Sequence, residues 1–155
     1  MKDLFKDLCS YMCGDLNAFT FLNEDDLKKV SVFFEHKTFK AGEILWEEGG
    51  PCGYTAFIIS GRVQVKKKTE FKGNQVVLGV YNEGAYVGTL CLLDGSPRAV
   101  TAEALDDVCV IVITRKNFDK LSKSHPEIAT AIMKGMMLAI SKRLKKSFDR
   151  LVAIF

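Results

Sequence analysis

The rhythm of apolar and polar positions changes twice along the chain. Between Lys2 and Leu16 the apolar residues Leu4, Phe5, Leu8, Tyr11 and Met12 fall at helical spacing until Gly14 interrupts them, which predicts a short amphipathic helix. Asn23, with Asp26 at the third position after it and the apolar Leu27 and Val30 beyond, predicts a second helix with a side-chain cap. From about Phe39 the helical spacing gives way to short β-rich runs, GEILWEE, YTAFIIS, RVQVK, QVVLGVY, AVTAEA and VCVIVIT. Turn residues separate them, at Gly49-Gly50-Pro51, Ser60-Gly61, Gly73-Asn74, Glu83-Gly84 and Asp94-Gly95-Ser96-Pro97. Strands recurring about every ten residues leave no room for crossover helices, so the pattern predicts antiparallel sheets closed into a β-barrel or double-sheet jelly roll.

The helical period returns after Thr114. Thr114 can cap a short helix reaching Leu121, and Ser124-His125-Pro126-Glu127 reads as a capping box with proline in the first turn. No proline follows Glu127, so one long helix is expected to run to the C-terminus, weakened at Gly135 by about 1 kcal/mol relative to alanine. Met137, Ile140, Leu144, Ser147, Leu151 and Ile154 alternate steps of three and four, the spacing of a coiled-coil seam. Lys142, Arg143, Lys145, Lys146 and Arg150 occupy its other faces. Two readings stay open, a helix lying on its own barrel and a helix pairing with a second copy. The closing FDRLVAIF favours the second, because a lone terminal helix would leave that apolar surface in water.

Composition narrows the function classes. A chain of 155 residues holds one domain with a proper core, and its 22 Lys and Arg against 19 Asp and Glu leave a net charge of +3, too mild to point to nucleic acid. Lys66-Lys67-Lys68 reads as a solvated face. Hydrophobic residues at 48% exclude disorder, yet no apolar run nears the ~18–20 residues of a membrane helix. MKDLFKDL does not resemble a secretory signal, so a cytoplasmic location is expected, with the five cysteines as free thiols and Cys91 and Cys109 as small buried hydrophobes. There is no C-x-x-C pair, and His36 and His125 lie far from the cysteines in sequence, so neither a metal nor a cofactor is expected. Cys9 and Cys13, four apart, leave a redox or cluster role open beside a structural one. No nucleophile elbow, Walker loop or zinc-protease motif is present, and no enzyme is expected.

The stretch from Tyr86 to Ala102, YVGTLCLLDGSPRAVTA, carries the most chemistry. Gly88 permits a close approach, the apolar Thr89-Leu90-Cys91-Leu92-Leu93 suits one helical turn with outward N–H groups, and the DGSP turn returns Arg98 to the same place. Together these could hold a phosphate or carboxylate; the plainer reading is a barrel loop with a surface arginine.

That segment resembles the phosphate-binding cassette of cyclic nucleotide-binding domains, the family of the bacterial catabolite activator protein, the protein kinase A regulatory subunits and the cyclic-nucleotide-gated channels. The resemblance extends through Gly42-Glu43-Ile44-Leu45, Glu48-Gly49, Gly53, Phe57-Ile58-Ile59, Ser60-Gly61, Val63-Gln64-Val65, VCVIVIT and His125-Pro126, about Leu22 to Leu151. It implies a cyclic nucleotide ligand, cAMP before cGMP, with its phosphate at Gly88, Thr89, Leu90 and Arg98. Ala99 would add no side-chain contact, and Ser147 on the last helix would lie near the base. The family normally has a glutamate after the glycine to accept from the ribose 2′-hydroxyl, and this chain has Thr89. Losing a charge-assisted bond there is worth about 1.5–3 kcal/mol, one to two powers of ten in affinity.

The expectation is therefore a single α+β, mainly β, domain over 1–155: N-terminal helices over 1–38, a jelly-roll barrel over 39–114 with the cassette at 86–99, and C-terminal helices over 115–155. It would sense a cyclic nucleotide and signal to a downstream protein by moving its last helix, dimerising through that helix. The alternative is a degenerate pocket that takes another small anion or serves as an interaction module. No DNA-binding unit is expected, since a helix-turn-helix needs on the order of 50 further residues.

Overall fold

The structure, a computed structural model, describes Lys6, residues 18–71 and residues 73–155. The helix expected over Lys2–Leu16 and the Cys9/Cys13 pair lie, Lys6 apart, outside the described residues. Helix α1 (Glu24–Val30) and a 3-10 turn (Ser31–Phe33) lead into β1 (Glu35–Phe39), β2 (Ile44–Trp46), β3 (Tyr54–Ser60), β4 (Val63–Lys68), β5 (Gln75–Tyr81) and β6 (Tyr86–Val87). A one-turn helix α2 (Leu90–Leu93) follows, then β7 (Thr101–Ala104), β8 (Val108–Thr114), α3 (Arg115–Ser124) and α4 (Pro126–Val152). The strands form two four-stranded antiparallel sheets, ordered β1-β8-β3-β6 and β2-β7-β4-β5, the double-sheet architecture that the turn spacing predicts.

Alternation along the central strands builds two cores. On β8, Val108, Val110 and Val112 point between the sheets, where they meet Ala56 and Ile58 of β3, Val63 and Val65 of β4 and Ala102 of β7. Ile111 and Ile113 point the opposite way, with Phe57, into a second core formed with Phe19, Leu27, Phe118, Leu121, Ile128 and Ile132. A strand buried on both faces reads as a continuous apolar run, which is why VCVIVIT and AFII lack polar alternation. β5, at a sheet edge, leaves Val76, Val77, Leu78 and Val80 exposed.

The helix ends follow local chemistry, with one correction. Asn23 and Asp26 form the expected reciprocal cap of α1, with Asp26 N–H donating to Asn23 Oδ1 at 2.8 Å, and Thr114 Oγ1 accepts from Asn117 N–H at 3.1 Å to start α3. The capping box expected at Ser124 does not form. Ser124 is the last residue of α3, its hydroxyl donates back to the Lys120 carbonyl at 2.9 Å, and α4 starts from His125 with Pro126 at its first position and no side-chain cap.

β1 also begins inside the stretch expected to be helical, because Glu35 to Phe39 pair residue for residue with β8 from Val112 back to Val108. Gly135 of α4 is buried, and a Cβ there would overlap the Ala18 carbonyl, so the glycine admits the incoming chain against the helix. From Ile140 to its end every residue of α4 is exposed.

Candidate functional site

Gly88 follows β6 with φ 84°, in the left-handed region that glycine tolerates, and a Cβ there would come within 2.6 Å of Arg98 Nη1 and 3.1 Å of the Trp46 ring. Glycine is thus required by both conformation and space. Within α2 the hydrogen-bond ladder starts with Cys91 N–H to the Gly88 carbonyl at 3.3 Å and Leu92 N–H to the Thr89 carbonyl at 3.0 Å. The Thr89 and Leu90 amides lie ahead of that ladder, at the end where backbone N–H groups face outward. Asp94 Oδ1 accepts from Ser96 N–H at 2.8 Å, a side-chain turn that reverses the chain and brings Arg98 back toward Gly88. The Ser96 hydroxyl first, and its N–H second, hold the Asp94 carboxyl below its ordinary value by hydrogen bonding to it.

Arg98 is 6% exposed. Its Nη2 donates to the Tyr54 carbonyl at 2.6 Å, while Nε and Nη1 are buried without a hydrogen-bond partner. The guanidinium lies 3.8 Å from the centre of the Trp46 ring and 5.4 Å from that of Tyr54, held flat by aromatic faces and by no carboxylate among the described residues. Burial lowers its pKa from the ordinary arginine value, the direction expected for a desolvated cation. A buried guanidinium with two unanswered donors is costly unless an anion satisfies it. Arg98 lines a cavity of about 160 Å³ together with Gly88, Thr89, Leu90 and Ser96.

Across Trp46, Gly88 and Thr89 a second cavity of about 220 Å³ continues toward α4, bounded by Leu78, Tyr81, Ile140 and Arg143. The Arg143 guanidinium stacks 4.4 Å from the Tyr81 ring centre. The arrangement is a charged, donor-rich pocket for a small anion beside a wider apolar space under a helix, and no group of three metal-binding side chains occurs among the described residues.

Residues 36–125, more than half of the chain, match the family profile described as Cyclic nucleotide-binding domain. The chain belongs to that family. A cyclic nucleotide-binding domain from Methylobacillus flagellatus shares the fold with a TM-score of 0.81 at 18% identity, covering 97% of this chain and 84% of that one. Among curated relatives, the cAMP-dependent protein kinase regulatory subunit of Debaryomyces hansenii is 31% identical over 107 residues, 69% of this chain and 23% of that protein. A lysophospholipase of Neosartorya fischeri is 27% identical over 111 residues, 71% of this chain and 7% of that protein. The chain thus spans a minor part of the curated relatives it matches.

Within this cyclic nucleotide-binding domain the structure brings Gly88, Thr89, Leu90 and Arg98 together around one cavity, with Ala99 at its rim. The Ala99 carbonyl accepts from Lys67 Nζ at 2.9 Å. Ser147 does not join them: it is exposed, its hydroxyl donates to the Arg143 carbonyl at 3.2 Å, and Ile140 and Arg143 line the space instead. The expectation of free thiols is overturned at two positions. Cys52 and Cys91 form a disulfide with their Cα atoms 5.3 Å apart, a pairing made possible where the β2–β3 loop crosses α2. Cys109 is half-buried, with His36 Nε2 2.9 Å from its sulfur across β1 and β8. Sequence reading missed Trp46, Tyr54 and Arg143 as parts of the site. Arg143 carried a signal, since it sits one turn before Ser147 on the same helical face.

Proposed function

We propose that this chain is a sensor that binds a cyclic nucleotide, cAMP before cGMP, and transmits occupancy through α4. The cyclic phosphate sits against the Thr89 and Leu90 amides and takes the free Nε and Nη1 donors of Arg98; the base enters the space under Ile140 and Arg143. The observation that carries this reading is the buried arginine with unanswered donors beside the cradle. The preference for cAMP rests on the relatives named for it, the kinase regulatory subunits. The reading is one of binding, without chemical turnover. Calorimetry with cAMP and with cGMP tests it: saturable heat is expected, and no heat together with no thermal stabilisation at about 1 mM nucleotide refutes it.

The helix α4 supports an output by movement and by pairing. Its exposed half carries Met137, Ile140, Leu144, Phe148 and Leu151, an apolar strip that a second copy would cover. Sedimentation should report a dimer that Leu144→Lys with Leu151→Lys converts to a monomer; a wild-type monomer at about 100 µM removes the pairing from the proposal. A downstream protein would read the helix.

Thr89 favours a second reading. A neutral hydroxyl where the family places a carboxylate suits a pocket that takes a small anion without ribose, or an interaction module with a silent pocket. Binding of inorganic phosphate or a simple phosphate monoester with no preference for a cyclic nucleotide would decide for the anion.

A further inference from the structure

We propose that Cys52 and Cys91 form a redox-modification site whose disulfide sets the affinity of the phosphate cradle; the inference rests on the cyclic nucleotide reading of that cradle. The bond joins its two halves. Cys91 lies in α2, directly after the Leu90 amide, and is 2% exposed. Cys52 is half-buried in the loop between β2 and β3. That loop is fastened to Arg98 on both backbone sides, through Gly49 N–H to the Arg98 carbonyl at 2.7 Å and Arg98 N–H to the Gly50 carbonyl at 2.9 Å. Gly53, the next residue, lies against the guanidinium, where a Cβ would come 3.7 Å from Nη2. The disulfide therefore ties the amide end of the cradle to the loop whose backbone holds Arg98 in place.

Beyond the disulfide, α2 is held by Leu92 in the helix-side core and, at its start, by the Thr55 hydroxyl donating to the Gly88 carbonyl at 2.8 Å. It has one turn, no side-chain cap, and only Cys91 and Leu92 buried. In the oxidised protein the Leu90 amide and Arg98 are pre-positioned for one anion; in the reduced protein α2 must be ordered at the moment of binding, which weakens affinity.

A dithiol of the thioredoxin class supplies the electrons. Its thiolate attacks the more accessible Cys52 sulfur, forming a mixed disulfide and expelling the Cys91 thiolate, which takes up a proton. The second thiol of the reductant then attacks its own sulfur in the mixed disulfide and releases Cys52, also as a thiol. Two electrons and two protons move, and the reductant leaves as its internal disulfide. A nucleotide held against the cradle favours the oxidised form by the same factor by which oxidation favours the nucleotide.

The test uses the full chain carrying Cys9→Ser, Cys13→Ser and Cys109→Ser, so that only the pair responds. Thiol alkylation and intact mass establish the redox state, and calorimetry measures cAMP before and after treatment with dithiothreitol. Two thiols gained with about tenfold weaker binding is the expected result, and Cys52→Ser with Cys91→Ser should bind as the reduced form does whatever the treatment. Equal affinity in the two states overturns the inference and leaves the nucleotide reading intact, as does recovery of the pair as thiols after air oxidation. Absence of cAMP and cGMP binding in both states overturns the nucleotide reading, and the inference with it.

Discussion

The Tyr86 hydroxyl donates to the Met136 carbonyl at 2.5 Å, joining the strand that leads into the cradle to the middle of α4. The phenol is 3% exposed, and burial pushes its pKa from 10.0 up to about 12. The contact links β6 directly to the helix proposed to carry the output.

Alkaline stability should register this contact. The folded chain keeps the Tyr86 proton where the unfolded chain releases it, so the contribution is whole below pH 10 and lost as pH rises toward about 12. Tyr54, raised by burial in the same direction, adds to the fall. Urea unfolding across this range should show a declining midpoint. Tyr86→Phe should cost about 1 kcal/mol at neutral pH and flatten the decline, and an unchanged slope in that variant assigns the decline elsewhere.

Arg98→Leu should separate binding from stability. Removing a buried guanidinium with two free donors relieves a desolvation cost, so the melting temperature of the ligand-free variant should stay level or rise, while nucleotide binding disappears. A variant that unfolds at lower temperature and still binds contradicts the role given to this residue.

Thr89→Glu should tighten cyclic nucleotide binding by about ten- to a hundredfold, the worth of a charge-assisted hydrogen bond to the ribose. The gain should vanish with a 2′-deoxy nucleotide. If the two nucleotides gain equally, the added carboxylate acts elsewhere.

Gly135→Ala reverses an ordinary rule. Alanine is the better helix former by about 1 kcal/mol, yet its methyl would overlap the Ala18 carbonyl, so the substitution should destabilise by about 1–3 kcal/mol. Chemical denaturation measures the sign, and a gain in stability shows that the Ala18 segment gives way freely.

Legibility in the sequence followed the range of the interaction. β3 and β8 were readable because burial on both faces leaves an uninterrupted apolar run, and the α1 and α3 caps because their partners are three residues apart. β6, two residues long, and β1, whose EHKTF is paired but largely polar, carry no comparable pattern. In the site, Gly88 and Arg98 share a short segment and could be found together. Trp46 and Tyr54 come to Arg98 only through the pairing of distant strands, and the disulfide spans 39 residues with no spacing to announce it. On α4 the family resemblance points to Ser147 for the base, while the residues that line the cavity are Ile140 and Arg143, the latter one turn earlier.

Trp46 is the chain's single tryptophan, and its indole lies face to face with the guanidinium at the heart of the cradle. Indole emission depends on the charge and polarity next to the ring, so a change in what Arg98 binds alters the only tryptophan signal the protein emits. With the phosphate placed at Arg98 as proposed, the domain would carry a built-in optical reporter of occupancy, readable in a dilute cuvette without a label.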